Sequence, residues 1–331
     1  MTFPASNLTH HPNGVSSFGL PVIGAAPAIP VGIASQYWFV DPVNGSDGNQ
    51  GNLTSPFQTI TKAYAQLRSG YWDGIFLIGY GSGSASATVS VPLVWSVNYA
   101  FLIGLCAPTL GQQRARISNG ASTVLVTPLV EITGTGNIFK NIEFFNGGND
   151  ATKAAVCVSI DSGGQRNYFE NCQFAGGGTT ASAGNAACRD LVIDGAGGNG
   201  ENEFIHCCIG LDTILRNAVN YSLEIKGASP RNVFEGCLFD HNGVAGSFFL
   251  LIGVSGIDRY TLFNGCIFYN FTGNGGASLT NAYSINASAG GDVIMQQTTV
   301  IGAAALPASS LVWATPLADA TTHVLKAVNP T

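Results

Sequence analysis

Apolar and polar residues alternate along this chain in short runs that return at a fixed distance. The fullest run is Asn232-Val-Phe-Glu-Gly-Cys-Leu-Phe239. Related octets are Asn137-Ile-Phe-Lys-Asn-Ile-Glu-Phe144, Asn167-Tyr-Phe-Glu-Asn-Cys-Gln-Phe174, Asn202-Glu-Phe-Ile-His-Cys-Cys-Ile209 and Thr261-Leu-Phe-Asn-Gly-Cys-Ile-Phe268. A degenerate copy reads Asp292-Val-Ile-Met-Gln-Gln-Thr-Thr299. Their third residues, at 139, 169, 204, 234, 263 and 294, are 30, 35, 30, 29 and 31 apart. A self-similar period of this size is the signature of stacked supersecondary units.

Each octet predicts two short strands joined by a bend. Phe139, Phe169, Phe204, Phe234, Phe263 and Ile294 form one expected inward column. Ile142, Cys172, Cys207, Cys237 and Cys266 form a second, and Phe144, Phe174, Ile209, Phe239 and Phe268 a third. Period-two alternation puts the last two on one face of their strand. Between the strands stand Asn141, Asn171, His206, Gly236 and Gly265. Gly, Asn and His tolerate positive φ, so this column predicts a left-handed bend in every repeat. A further strand precedes each octet, with inward ends at Ile132, Ile160, Ile193, Ile225, Val254 and Ile285. Like residues then stack about 4.8 Å apart in the coils of an all-β parallel β-helix, about 30 residues per coil.

The chain divides into three parts. Residues 1–36 carry prolines at 4, 12, 21, 27 and 30, which with the absence of alternation predict an extended arm without helix or paired strand. Residues 37–310 hold the solenoid, and Ser55-Pro-Phe-Gln58 reads as a helix start, Ser as cap and Pro at the first position. That predicts a short capping helix over about 56–67, with Phe57, Ile60, Ala63, Tyr64 and Leu67 buried. Ser309-Ser-Leu-Val-Trp-Ala314 reads as one more strand of the kind that precedes an octet. Residues 311–331, with Thr321-Thr-His-Val-Leu-Lys-Ala-Val328, form a closing segment.

Composition narrows the function. Of 331 residues only 10% are charged, 46% are hydrophobic and the net charge is −6. A usual soluble domain is about 25% charged. Low charge fits a continuous apolar core and surface covered by other subunits. The 13 Lys and Arg are scattered, so no nucleic-acid partner is expected. Phe248–Val254 is far short of a membrane span, so no membrane partner is expected. Met1-Thr-Phe-Pro4 does not open a secretory signal. Four of the eight cysteines fall in one inward column, which predicts reduced core thiols rather than disulfides or a metal site. Asp41 and Asp47, in the loop over 41–52, fall short of a calcium site, and no cofactor is expected.

The candidate chemistry is thin. The column after the first strand reads Thr133, Asp161, Asp194, Lys226, Ser255, Asn286, so Asp161 and Asp194 are the candidate catalytic pair. Neighbouring carboxylates are what glycoside hydrolysis uses. The same residues also fit a solvated edge with an Asp–Lys pair, and the histidines at 10, 11, 206, 241 and 323 do not sit beside an acidic pair.

The octets resemble the right-handed parallel β-helix of the pectate-lyase-like superfamily, where an asparagine ladder marks the bend that Asn141 and Asn171 occupy here. Tyr37–Asn52 with Ser55-Pro-Phe-Gln-Thr-Ile60 resembles the first turn of microbial and phage β-helices. Asn13-Gly-Val-Ser-Ser-Phe-Gly-Leu-Pro-Val22 resembles the opening of tailed-phage virion proteins. That resemblance implies docking to other virion proteins, capsid or tail, through Asn13, Gly14, Val15, Phe18, Leu20, Pro21 and Val22. It also implies a non-catalytic decoration, fibre or spike, homotrimeric, located in the virion. The alternatives are a tailspike-like polysaccharide depolymerase, acting as hydrolase or lyase, or an adhesin for a host surface glycan.

Overall fold

A computed structural model describes residues 35–314 except 82–84, 120–124, 162, 197, 274 and 308, together with the backbone of Ser16–Ser17 and Leu20–Pro21. The chain winds as a right-handed parallel β-helix with three parallel sheets of seven, ten and eight strands. In one coil Val156–Ile160 belongs to sheet I, Tyr168–Glu170 to sheet II and Gln173–Ala175 to sheet III. Strands follow chain order in every sheet, so each strand pairs only with the coils before and after it.

The inward columns stack as their spacing predicts. Phe139, Phe169, Phe204, Phe234 and Phe263 are in register in sheet II. Successive rings lie 4.5–4.9 Å apart and nearly parallel. The bend residues Asn141, Asn171, His206, Gly236 and Gly265 all have positive φ, between 49° and 61°. All eight cysteines are free. Cys172, Cys207, Cys237 and Cys266 each donate a thiol hydrogen bond to the carbonyl of the Phe in the preceding coil, at 3.3–3.6 Å. Thr298 donates its hydroxyl to Phe263 in the same way at 3.2 Å.

Three assignments from the pattern shift. The partner of Phe263 is Met295, not Ile294, because the degenerate octet starts one residue later and bends at Gln297. Sheet I aligns Ile225 with Ile252 and Ile285, while Val254 is 62% exposed in the turn beyond. Gly253 therefore follows the strand where Ser255 was expected. Val312–Ala314 pairs with Val293–Met295 in sheet II, so it is an octet-type strand and the solenoid reaches Ala314.

The hydrogen-bonded asparagine ladder is a different column from the bend. Asn137, Asn167, Asn202 and Asn232, the heads of the octets, are buried. The Oδ1 of Asn167 accepts from both the backbone N–H and the Nδ2 of Asn137, at 2.9 and 3.1 Å. Asn202 serves Asn167 in the same way, and Asn232 serves Asn202. The ladder supplies partners for backbone groups at a corner where no sheet can. At the bend, by contrast, the Oδ1 of Asn141 is buried and unpaired.

The first coil is closed by helix α1, Ile60–Tyr64, shorter than expected and capped by Thr59 rather than Ser55. Asp47 is the reason: it accepts from the N–H groups of Gln58 and Thr59 and from the Thr59 hydroxyl, fixing the helix start there. Phe57 instead bridges to Val40. The expected apolar stripe is in place: Phe57, Ile60 and Ala63 are buried in the core, with Tyr64 and Leu67 packed against it. A second helix, α2 (Thr180–Ala183), sits in an excursion after sheet III.

Of the arm, Asn13, Gly14, Val15, Phe18 and Val22 lie outside the described residues, as does Thr321–Val328. The backbone of Leu20–Pro21 pairs antiparallel with Ser16–Ser17, a strand pairing the arm's composition did not predict. Two residues, the second a glycine, separate these pairs, a link length that hairpins favour.

Candidate functional site

The sheet I edge holds the residues that the sequence singles out. Ile160, Ile193 and Ile225 are in register, which brings Asp161, Asp194 and Lys226 onto successive coils. Their bonds are local. Asp161 accepts from the hydroxyl of Ser159 at 2.6 Å. Asp194 accepts from the N–H of Ala196 at 3.1 Å and pairs with Lys226 at 3.3 Å. Both partners of that ion pair are partly exposed, and such a pair contributes under about 1 kcal/mol. Among the described residues the two carboxylates do not hydrogen-bond each other.

A second pair of carboxylates, which the sequence reading missed, lies on the outer face of sheet III. Asp212 and Asp240 line a cleft of about 270 Å³ with Gln112, Gln173, Cys208 and Leu110. Cys208 pairs with Leu238, and Gly210 with Asp240, so neighbouring strands bring the two acids together. Gly210 has φ 123°, and a Cβ there would stand 1.8 Å from the carbonyl oxygen of Asp240; only glycine lets the strands close here. Residues 109–113 roof the cleft. The N–H of Gln112 donates to Oε1 of Gln173, whose Nε2 donates to the carbonyl of Gly210 at 3.0 Å.

Burial, then the charges of Asp212 and Asp190, push the Asp240 carboxyl up to about 7, against the pull of Arg216. The cleft therefore holds a carboxyl that resists ionisation beside a second acid, a pairing of the kind that acid–base chemistry on sugars uses. The sequence signal was faint. The two aspartates are 28 residues apart, close to one coil, but a bulge between Leu211 and Arg216 breaks the register.

Behind the cleft is a sealed network. Arg216 grips Asp190 with two hydrogen bonds of 2.5 Å, and the side chains are 1% and 0% exposed. Gly176 donates its N–H to the same carboxylate at 2.6 Å. His241 shares a hydrogen bond with Ser222 at 2.9 Å and packs edge-on against Phe249. Burial, with the nearby Arg216 charge, holds its pKa well below the usual histidine range, so the ring is neutral. Among the described residues no three His, Cys, Asp or Glu side chains are grouped to hold a metal ion. Asp41 is satisfied by the N–H groups of Val43 and Asn44 and the hydroxyl of Tyr80.

No protein-family model matches the chain, and no curated protein matches it. Solved structures do. Pectate lyase Pel9A is 16% identical over 82% of this chain and 64% of its own, with a TM-score of 0.51. A rhamnogalacturonan lyase is 13% identical over 80% of this chain and 74% of its own, also at 0.51. The chain thus spans less than two thirds of the pectate lyase. The likeness is one of fold, a pectate-lyase-like parallel β-helix.

Proposed function

We propose that the protein is a structural, non-enzymatic part of a tailed-phage particle, a rigid β-helical rod attached through residues 1–36 and projecting as a decoration, fibre or spike. The observation that carries this reading is the continuity of the stack. Seven coils hold all three strands, and one aromatic and thiol core runs through them. The acids that sequence placed at a catalytic edge are engaged in local bonds instead. The phage context rests on the resemblance of Asn13–Val22 and on a solenoid already capped by its own helix α1.

The experiment is incorporation. A chain lacking residues 1–30 is added to particles without this protein. The reading expects a soluble β-helix that no longer joins the particle, and a weakened joining for Phe18→Ala. Normal incorporation of the truncated chain would place docking on the solenoid and overturn the role of the arm. A homotrimer is part of the same proposal and is tested by sedimentation.

The Asp212/Asp240 cleft favours a second reading, a glycan depolymerase. Incubation with host capsule or lipopolysaccharide distinguishes the two. Release of reducing ends that Asp240→Asn abolishes, with the fold intact, would make the protein an enzyme.

A further inference from the structure

The outer face of sheet II changes character along the rod. Past the first coils it is mixed: Lys140 pairs with Glu170 at 2.8 Å and Glu203 and Glu235 are exposed, beside outward Ile205, Val233 and Leu262. In the first coils it is apolar. Trp38, Ile75, Leu102 and Phe139 are the inward column there, so alternation turns Phe39, Phe76, Phe101, Ile103 and Ile138 outward. Such residues on an uncovered sheet would be wet. Phe101 is 0% exposed, and Phe76, Ile103 and Ile138 are 7–8% exposed.

Part of this is mutual cover. The ring of Phe101 lies over Gly74, where a Cβ would stand only 1.8 Å from it. Tyr37 leans on Phe101 at 5.8 Å, and Phe39 stacks on Phe76 at 5.1 Å. Those rings gather at the first strands, and Trp72, Leu105 and Tyr168 also pack against the cluster of Phe76, Phe101, Ile103 and Ile138. Helix α1 meets these strands from the core side, through Ile60 and Ala63.

We propose that the occupant of this face in the free protein is the chain's own N-terminal segment, residues 1–34, folded back along the solenoid. The segment joins the solenoid at Ser35, two residues before Tyr37, at the edge of the patch. It contains no Asp, Glu, Lys or Arg, and it carries Val15, Phe18, Leu20, Val22 and Ile23. An uncharged segment with spaced apolar groups matches an uncharged apolar face. Reach is ample. The 17 residues from Phe18 to Ser35 extend up to about 55–60 Å, while the patch crosses only a few strands, each about 4.8 Å from the next. The C-terminal segment begins at the opposite end of sheet II, seven strands beyond Phe101, roughly 34 Å away. The proposal is independent of the phage reading. If a particle does take the arm, it must first lift it from this face.

The test is chymotrypsin cleavage at Phe18–Gly19 in the full chain. Phe3 and Leu20 precede prolines and Leu8 is a weak leucine site, so Phe18 is the strong site of the segment. The segment should be cut about tenfold or more slowly than a synthetic peptide of residues 1–34, because cleavage needs it to lift off. Ile138→Asp on the face and Val22→Asp on the segment should each bring the rate close to that of the peptide, with the circular dichroism of the solenoid unchanged. Should Ile138→Asp fail to fold, Val22→Asp, which precedes the solenoid, carries the test. Equal rates for full chain and peptide would overturn the proposal, as would protection that both variants leave intact. Protection that appears only at concentrations where sedimentation detects an oligomer would assign the face to a second copy and overturn it too.

Discussion

Phe234→Ala is the sharpest probe of the stacked core. The ring is fully buried. It lies 4.5 Å from Phe204 and 4.9 Å from Phe263, nearly parallel to both, and 5.7 Å from Phe239 at a tilt. Truncating a buried Phe costs about 3–5 kcal/mol. Three ring partners, each contributing about 0.5–1.5 kcal/mol beyond area, put this site at the upper end. Neighbouring coils cannot collapse into the gap without breaking register in all three sheets, so the cavity persists. We expect a loss of about 4–5 kcal/mol. Phe234→Leu keeps most of the volume and loses the ring pairs, at about 1.5–3 kcal/mol. Solenoids need not unfold in one step, so a local reporter is preferable to a global melt. Cys266 donates to the carbonyl of Phe234, and Cys237 lies three residues on. Their labelling by a thiol reagent under native conditions measures opening at the site. A loss of 4 kcal/mol raises the open population by about three orders of magnitude. A labelling change under about tenfold would mean that the ring is not held as described.

Asn202→Ala should leave the backbone N–H of Asn167 without its acceptor, while Asn167 Nδ2 keeps the carbonyl of Gly134, and a buried orphan costs about 1–3 kcal/mol; unchanged denaturant stability would remove the ladder from the account. Asp240→Asn should alter the pH dependence of stability. The folded carboxyl is held up to about 7 against an ordinary value of 3.8, so the native protein loses stability as pH rises between those values and no further above them. The variant should show no such loss, and its advantage at pH 8 has an upper bound of about 4 kcal/mol; parallel pH profiles of the two proteins would refute the assignment. Changing Asp161 and Asp194 together to Ala should shift stability by under about 1 kcal/mol, since the Lys226 pair is partly exposed, and leave particle incorporation intact. Loss of incorporation with the fold preserved would sink that reading.

The solenoid was legible because its columns are built of chemically distinctive residues. A Phe at every third octet position and a Gly, Asn or His two later cannot be read as another architecture. Legibility fell where the columns lose that identity. Ile294 and Met295 are both apolar, and only the pairing with Phe263 separates them. Val254 and Ile252 differ by one period of alternation, so a strand that ends early looks like one that ends late. Ser55 and Thr59 are both good caps, and the choice is made by Asp47 from a loop eleven or twelve residues away in sequence. The ladder asparagines stood at the head of every octet from Asn137 to Asn232. Their role was hidden because hydrogen bonding along a column depends on the corner geometry. Asp212 and Asp240 were invisible for a similar reason: neither falls in a repeating column, and only the bulged register and the roof over 109–113 make them neighbours.

The asparagine ladder also governs how such a chain could change in length. Asn137, Asn167 and Asn202 present the same donors to the coil after them, and Asn167, Asn202 and Asn232 the same acceptor to the coil before them. A whole coil, removed or duplicated, leaves those contacts matched on both sides. A few residues added inside an octet would displace the amide from its neighbours and turn the Phe or the Cys away from the core. The in-register residues Phe139, Phe169, Phe204, Phe234, Phe263 and Met295 are 30, 35, 30, 29 and 32 apart, so small additions have been taken up only between octets. The rod can thus grow or shrink in quanta of about 4.8 Å, each taking some 30 residues, and in nothing smaller.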